Sequence, residues 1–176
     1  MIRVVSVFGT GTAKPGDKNF VLAEQLGRLL AESGFAIANG GYGGTMLATA
    51  KGAREAGGEV IGVTCSAFGR GKANEFVSRE IVTTSLNERL DTLISIGSAY
   101  VVLPGGTGTL LELAFVWELK NKGFLSADKP IILLGDYWGR LVELVATDDD
   151  DSRQHLLRAN EPKEVIELLK RRRRNQ

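Results

Sequence analysis

Short apolar runs alternate along the chain with longer segments in which apolar residues recur at helical spacing. Leu22, Leu26, Leu29 and Leu30, for example, follow the i, i+4, i+7, i+8 order of one helix face. The apolar runs predict strands over residues 4–8, 35–38, 60–63, 81–83, 100–103 and 130–134. After that first helix, further helices are predicted at 45–56, 86–94, 109–122 and 137–146, whereas 64–78 fits only a loop or a ragged helix.

The apolar runs are continuous and do not alternate with polar residues, which is typical of strands buried on both faces of a parallel sheet. Repeated strand–helix units of this kind form a doubly wound, Rossmann-like α/β sandwich with right-handed crossovers. The sequence therefore predicts one Rossmann-like domain over residues 1–147. Residues 148–176 are predicted to form an acidic loop, a short docking helix marked by Val165, Leu168 and Leu169, and a basic tail.

Composition and charge narrow the classes of function. The 176 residues suit one domain, and 22 Lys and Arg against 21 Asp and Glu leave a net charge of +1, which favours neither nucleic acid nor a membrane as a partner. The single Cys65 and single His155 exclude an internal disulfide, a Cys-ligated metal site and paired-His metal motifs. The first apolar run is too short for a signal peptide, and no stretch approaches a membrane span. We therefore expect a cytoplasmic protein without a metal or cofactor.

The terminal basic run, residues 170–174, has two interpretations. Such a run is most often a solvated, disordered end of the chain. The alternative is an arm that binds RNA or an acidic partner, which would make the protein an accessory to nucleic acids.

Glycine is the unusual residue of this chain. There are 22 glycines, close to twice the average share, and they cluster at 9–12, 40–45 and 104–109, each time after a predicted strand. Open α/β sheets bind ligands at this edge, where glycine lets backbone N–H groups approach and a helix start adds unpaired donors and partial positive charge. The clusters therefore predict a phosphate or nucleotide site formed by Gly9, Thr10, Gly40, Gly41, Gly43, Gly44, Gly105, Gly106, Thr107, Gly108 and Thr109.

None of the clusters matches a common nucleotide motif. Gly11 and Gly16 have P-loop spacing but are followed by Asp17-Lys18 where a P-loop has Lys-Ser or Lys-Thr, and no Gly-x-Gly-x-x-Gly is present in any cluster. Asn39 follows the second predicted strand, where an NAD site would have an acidic residue for the ribose. A dehydrogenase is therefore disfavoured.

Two charged residues beside the clusters have alternative interpretations. Glu112 fits a capping box with Thr109 as the N-cap, yet its helix is otherwise largely apolar, so the alternative is a carboxylate that faces the ligand and stabilises a cation-like transition state. Arg89 is either a surface residue or a ligand for phosphate or ribose oxygens. Glu88 follows Ser85 at capping-box spacing and is assigned a structural role.

Residues 104–112, Pro-Gly-Gly-Thr-Gly-Thr-Leu-Leu-Glu, resemble the PGGxGTxxE motif of the LOG (Lonely Guy) family, the cytokinin riboside 5′-monophosphate phosphoribohydrolases. The resemblance covers about residues 2–146. It implies a Rossmann-like dimer that cleaves the N-glycosidic bond of an adenine-type nucleoside 5′-monophosphate, such as AMP, and releases the free base and ribose 5-phosphate. It also implies that Arg89 and Glu112 are catalytic, that Gly105 to Thr109 bind the phosphate, and that Met46 joins the nucleotide-binding residues.

The chain also departs from the family pattern, and other functions stay open. Leu90 follows Arg89 where the family commonly has lysine, and Tyr42 stands where it usually has glycine. No general acid for the leaving base is identified, although Asn39, Thr12 and Tyr42 are candidates. The competing hypothesis is a binding protein without turnover. Related proteins with this core serve as nucleotide sensors or as molybdenum-cofactor carriers.

The helix after the third glycine cluster carries more apolar residues than one sheet face needs. Leu111, Phe115, Trp117 and Leu119 form this surplus. Self-complementary apolar surface is buried most simply between two copies of a chain, so an isologous homodimer is expected.

Overall fold

In the computed structural model, which describes residues 3–174 and side chains as far as Arg171, seven parallel strands form one sheet. The strands are β1 (Val4–Phe8), β2 (Ala36–Asn39), β3 (Val60–Cys65), β4 (Arg79–Thr83), β5 (Ala99–Val102), β6 (Ile131–Leu134) and β7 (Leu156–Ala159), in the order β4-β3-β2-β1-β5-β6-β7. The helices are α1 (Lys18–Glu32), α2 (Thr45–Glu55), α3 (Leu86–Ile96), α4 (Thr107–Asn121), α5 (Gly139–Ala146) and α6 (Pro162–Arg174), with 3-10 turns at Ser66–Phe68 and Asp150–His155. Over the same residues, no helix is both long enough and apolar enough to cross a membrane.

Helices cover both faces of the sheet. Helices α1, α2 and α6 pack on one face with Val5, Val7 and Val101, whereas α3, α4 and α5 pack on the other with Tyr100 and Val102. Successive strand residues point to opposite faces, so each strand has to be apolar on both sides. The predicted doubly wound, Rossmann-like sandwich is confirmed.

The end of the chain contains a strand that the sequence analysis missed. β7 pairs in parallel with β6, with Ile131 opposite Leu156 and Leu134 opposite Ala159. The acidic segment before it includes a 3-10 turn, and the predicted docking helix is α6, whose Val165 and Leu169 are buried in the core. The backbone of α6 stays helical through Arg174, so the basic run begins as part of a helix and not as a disordered tail.

Some of the apolar residues of helix α4 that were expected on a dimer surface are packed inside the molecule. Trp117 is buried, and its indole N–H donates to the carbonyl oxygen of Ser152 at 2.9 Å, because the second 3-10 turn packs on α4. Most of Trp117 is therefore covered within one copy of the chain, and 6% of it stays exposed. Leu111 is 41% exposed, while Phe115 and Leu119 are partly buried against the core.

Candidate functional site

A cavity of about 770 Å³ opens at the carboxyl edge of the sheet, next to β1 and β5. The chain leaves β1 towards α1 on one face and leaves β5 towards α4 on the other, which makes this the switch point where open α/β sheets bind ligands. The lining residues come from all three glycine clusters, from α2, α3 and α4, and from the segment after β3. They are Gly9, Thr10, Gly11, Thr12, Tyr42, Met46, Phe68, Arg70, Leu86, Arg89, Leu90, Gly106, Thr107, Gly108, Thr109, Leu111 and Glu112.

Helix α4 begins at this cavity without a side-chain cap. Its N-cap is Gly106, in extended conformation, and Thr107 is the first helical residue, two positions earlier than predicted. The capping box of Thr109 and Glu112 is therefore wrong, since Thr109 already lies inside the first turn. Amide groups in the first turn of a helix have no intrahelical partner, so those of Thr107, Gly108 and Thr109 give the cavity wall a positive end that suits an anion.

Glu112 and Arg89 meet at the same cavity. The Arg89 Nη1 lies 3.4 Å from the Glu112 Oε1, and the Arg89 Nε–H donates to the carbonyl oxygen of Val63 at 2.9 Å. Only 6% of Arg89 and 8% of Glu112 is exposed. The interpretation of Arg89 as a surface residue is therefore excluded, and both ionisable groups line the site.

Burial changes the acidity of Glu112. Loss of hydration raises the pKa of its carboxyl to about 7, although the charge of Arg89 and the hydrogen bond from it act in the opposite direction. Near neutral pH the carboxyl is consequently divided between its protonated and ionised forms. A group with that property exchanges protons efficiently with a substrate or water.

The glycines of the second cluster lie outside the cavity lining and support it, whereas Tyr42 of that cluster lines the cavity. A Cβ on Gly40 would collide with the Arg89 guanidinium, so the absence of a side chain here leaves room for the guanidinium. The amide of Gly41 donates to the Asn39 side-chain oxygen at 2.8 Å, and that of Thr45 to the carbonyl oxygen of Thr10 at 2.8 Å. Gly40, Gly41, Gly43 and Gly44 do not line the cavity, whereas Met46 from the same segment does.

The other predicted residues fall into two groups. Gly9, Thr10, Gly106, Thr107, Gly108 and Thr109 line the cavity as expected. Gly105 does not: it packs so closely on the Thr109 side chain that an added Cβ would collide with it. Its contribution is the tight turn that leads the chain from β5 into α4.

Two of the three candidates for a general acid already hydrogen-bond to backbone groups. The Asn39 side chain accepts from Gly41 and donates to the carbonyl oxygen of Met46 at 3.0 Å. The Tyr42 hydroxyl accepts from the amide of Cys65 at 2.8 Å and donates to the carbonyl oxygen of the same residue at 3.2 Å. Thr12 is exposed and shares a 2.8 Å hydrogen bond with the Thr10 hydroxyl.

Several lining residues were not predicted from the sequence, and two of them, Phe68 and Arg70, carry an aromatic ring and a positive charge. The Phe68 ring centroid lies 5.7 Å from the Arg89 Cζ, and the Arg70 Cζ lies 5.8 Å from the same ring centroid. Both belong to the segment that breaks the helix and strand pattern. The sequence Phe-Gly-Arg-Gly, in which an aromatic and a basic residue are each followed by glycine, was the one signal that could have found them.

Similarity to known proteins extends over nearly the whole chain. The model of the SLOG cluster4 family matches residues 2–166. The cytokinin riboside 5′-monophosphate phosphoribohydrolase of Mycobacterium tuberculosis is 36% identical over 121 residues, which are 67% of this chain and 63% of that protein. The enzyme of the same name from Rhodococcoides fascians is 32% identical over 137 residues, 76% of this chain and 68% of that protein.

A solved structure shows the same architecture at full length. The molybdenum cofactor binding protein of the phototrophic bacterium Rippkaea orientalis superposes with a TM-score of 0.80 and 30% sequence identity, over 97% of each chain. The family model and the phosphoribohydrolase relatives confirm the resemblance to the LOG family. The chain belongs to the SLOG cluster4 family.

Proposed function

We propose that the protein hydrolyses the N-glycosidic bond of an adenine-type nucleoside 5′-monophosphate, releasing the free base and ribose 5-phosphate. The observation that carries this proposal is the buried pair of Glu112 and Arg89 in the same cavity as the uncapped start of α4. An anion site beside a carboxyl of raised pKa matches a substrate with a phosphate at one end and a cation-like reacting carbon nearby.

The phosphate binds at the start of α4. Amides of Thr107, Gly108 and Thr109 donate to its oxygens, and the helix dipole favours its negative charge. This grip is remote from the bond that breaks, and its binding energy is used to hold the ribose in the reactive position.

Glu112 acts at the ribose. It follows the anion site by three to five residues, about 4 to 8 Å along the helix axis, which is the scale of a ribose with its 5′-substituent. The carboxylate orients a water and stabilises the positive charge that the sugar develops as the bond from C1′ to the base breaks. The water oxygen bonds to C1′ and its proton passes to Glu112; the departing base takes up one proton, so the carboxylate is restored. Arg89 holds the carboxylate in place and limits the rise of its pKa.

Base release from AMP tests this proposal. Purified protein is incubated with AMP and with N6-modified adenosine monophosphates while free base and ribose 5-phosphate are quantified. We expect both products in equal amounts, and Glu112→Gln, which keeps the size of the side chain, to lower kcat by about 10² to 10⁴-fold. A folded Glu112→Gln variant that keeps full turnover would remove Glu112 from the chemistry.

A binding protein without turnover is the second candidate. The observation that favours it is the match to the Rippkaea orientalis molybdenum cofactor binding protein over 97% of both chains, against 63% of the Mycobacterium tuberculosis enzyme. The same helix start would then hold the monophosphate of a pterin-type ligand. Retention of such a ligand through purification, with no base released from any mononucleotide, would establish this function instead.

A further inference from the structure

Two aromatic rings from different segments meet in the cavity lining: Tyr42 lies between β2 and α2, and Phe68 lies between β3 and β4. The ring centroids of Tyr42 and Phe68 are 6.3 Å apart and their planes are tilted by 42°. Phe68 is 38% exposed although it is a large apolar side chain, and both residues line the cavity. We call this pair of rings the aromatic shelf.

The shelf offers ring faces and no free polar group. The Tyr42 hydroxyl is satisfied in both directions by the backbone of Cys65, at 2.8 and 3.2 Å. Met46 and Leu90, which line the same cavity, add apolar surface. A ligand group on the shelf is therefore recognised by stacking of a planar face and not through hydrogen bonds from the shelf to its edge.

Arg70 lies against both rings of the aromatic shelf. Its Cζ lies 5.5 Å from the Tyr42 ring centroid and 5.8 Å from that of Phe68, which is cation–π distance. Among side chains up to Arg171, no carboxylate pairs with it. Gly69 and Gly71, on either side of Arg70, have φ of +62° and +75°, so Arg70 is flanked by two residues of high backbone freedom.

The later part of the segment between β3 and β4 is tied to the rest of the molecule by hydrogen bonds. The Asn74 side-chain amide donates to the carbonyl oxygens of Gly41 and Tyr42 at 3.0 and 2.8 Å, and the Glu80 carboxylate accepts from the amide of Ala73 at 2.9 Å. These hydrogen bonds fix the backbone next to the Tyr42 ring and the Ala73–Asn74 part of the segment.

Pairwise contacts link the start of α4, Glu112, Arg89 and Phe68 along the cavity lining. The start of α4 is followed along the helix by Glu112, Glu112 contacts Arg89 at 3.4 Å, and Arg89 lies 5.7 Å from the Phe68 ring. A nucleotide whose phosphate is at the helix start and whose C1′ is at Glu112 therefore extends its base towards the aromatic shelf.

We propose that the aromatic shelf and Arg70 are the base-recognition site, in which a planar bicyclic base stacks on the Phe68 ring and the Arg70 guanidinium closes over its other face. This inference rests on the proposed function for the position of the phosphate and ribose. It assigns Phe68 and Arg70 as specificity residues: bicyclic bases are favoured over smaller pyrimidines because they cover more ring surface, and substituents at the base edge are tolerated.

Equilibrium binding tests the role of Phe68 without interference from turnover. The probes are the carbocyclic analogue of AMP, whose bond to the base resists hydrolysis, and ribose 5-phosphate, which has no base; both are titrated by calorimetry. Phe68→Leu keeps apolar bulk against Arg89 but removes the ring face, so we expect the dissociation constant of carbocyclic AMP to rise about tenfold and that of ribose 5-phosphate to stay unchanged. Phe68→Trp should restore binding, and Phe124→Leu, at a phenylalanine 76% exposed outside the cavity lining, is the matched control.

A second pair of variants tests Arg70. Arg70→Gln and Lys72→Gln each remove one positive charge from the same segment, but only Arg70 contacts the rings. We expect Arg70→Gln to weaken carbocyclic AMP several-fold more than Lys72→Gln does, and neither variant to change the preference for ribose 5-phosphate over sulfate.

Three results would overturn the inference. The first is unchanged affinity of Phe68→Leu for carbocyclic AMP. The second is an equal loss for ribose 5-phosphate, which would mean that Phe68 only supports Arg89. The third is no binding of carbocyclic AMP to the unmodified protein. The proposed function fails separately, if carbocyclic AMP binds through Phe68 but AMP releases no base.

Discussion

At the scale of single residues, the proposed chemistry depends on the protonation state of Glu112. It needs the carboxylate form, and burial raises the pKa of the Glu112 carboxyl to about 7, because burial disfavours the charged form more than Arg89 favours it. We expect kcat/KM for AMP to rise as the pH increases from 6 to 8, with an inflection near 7. The pH–rate profile measures this directly.

The bound complex should titrate at higher pH than the free protein. A phosphate dianion at the start of α4 adds negative charge near Glu112, which raises the pKa of the carboxyl further, so the inflection in kcat should lie above that in kcat/KM. The substrate phosphate itself titrates near pH 6. Glu112→Gln is the control, because it keeps the ionisation of the phosphate and removes that of the carboxyl. A profile that falls between pH 6 and 8 would mean that the protonated carboxyl is the active form.

At the scale of elements, the first turn of α4 can be tested through its glycines. An added Cβ on Gly108 has no atom within 4 Å, so Gly108→Ala fits the free protein and should raise the free energy of unfolding by about 0.5 to 1 kcal/mol through helix propensity. Gly108 also lines the cavity, so the same methyl should obstruct a phosphate that approaches the amides. We expect higher stability in urea together with weaker binding of carbocyclic AMP in calorimetry.

Gly105→Ala is the contrasting variant for this turn. Its Cβ would collide with the Thr109 side chain, so both stability and binding should fall together. Equal or tighter binding by a stabilised Gly108→Ala would show that the phosphate does not approach the α4 amides.

The same elements show how far the sequence could predict the structure. Strands such as β5 and β6 are continuous apolar runs and were predicted, because a strand buried on both faces leaves that pattern. β7 was missed because it is an edge strand of four residues that contains Arg158 and is only partly buried. The start of α4 was placed two residues late because Thr109 looks like a cap, while the actual N-cap, Gly106, has no side chain to signal it.

The candidate site was predictable where its residues share a local motif. The third glycine cluster and Glu112 follow one another in sequence, so their proximity follows from helix geometry alone. Contacts between distant segments had no local signal: Gly40 was assigned to phosphate binding although its place is behind Arg89, and Phe68 reaches Arg89 from another segment. Only the tertiary fold determines such pairs.

At the scale of the whole molecule, one surface is more apolar than an isolated chain would favour. An apolar groove of about 280 Å³ lies between α4 and α5 and includes Leu113, Trp117, Leu141 and Val145 in its lining. Leu144 is 66% exposed and stands three residues after Leu141, so it extends the groove on the same helix face. Contiguous apolar surface of this kind typically marks an interaction site.

We therefore expect a homodimer that uses the α4–α5 face. Light scattering should give about twice the chain mass of 19.0 kDa, and Leu144→Glu should weaken association at least about tenfold, since a charge would be buried between the copies. Val82→Glu is the matched control, because Val82 is an aliphatic residue 61% exposed on the edge strand β4, away from that groove. A mass of 19.0 kDa at every concentration would contradict the dimer, whereas a dimer that Val82→Glu dissociates and Leu144→Glu leaves intact would move its interface to the β4 edge.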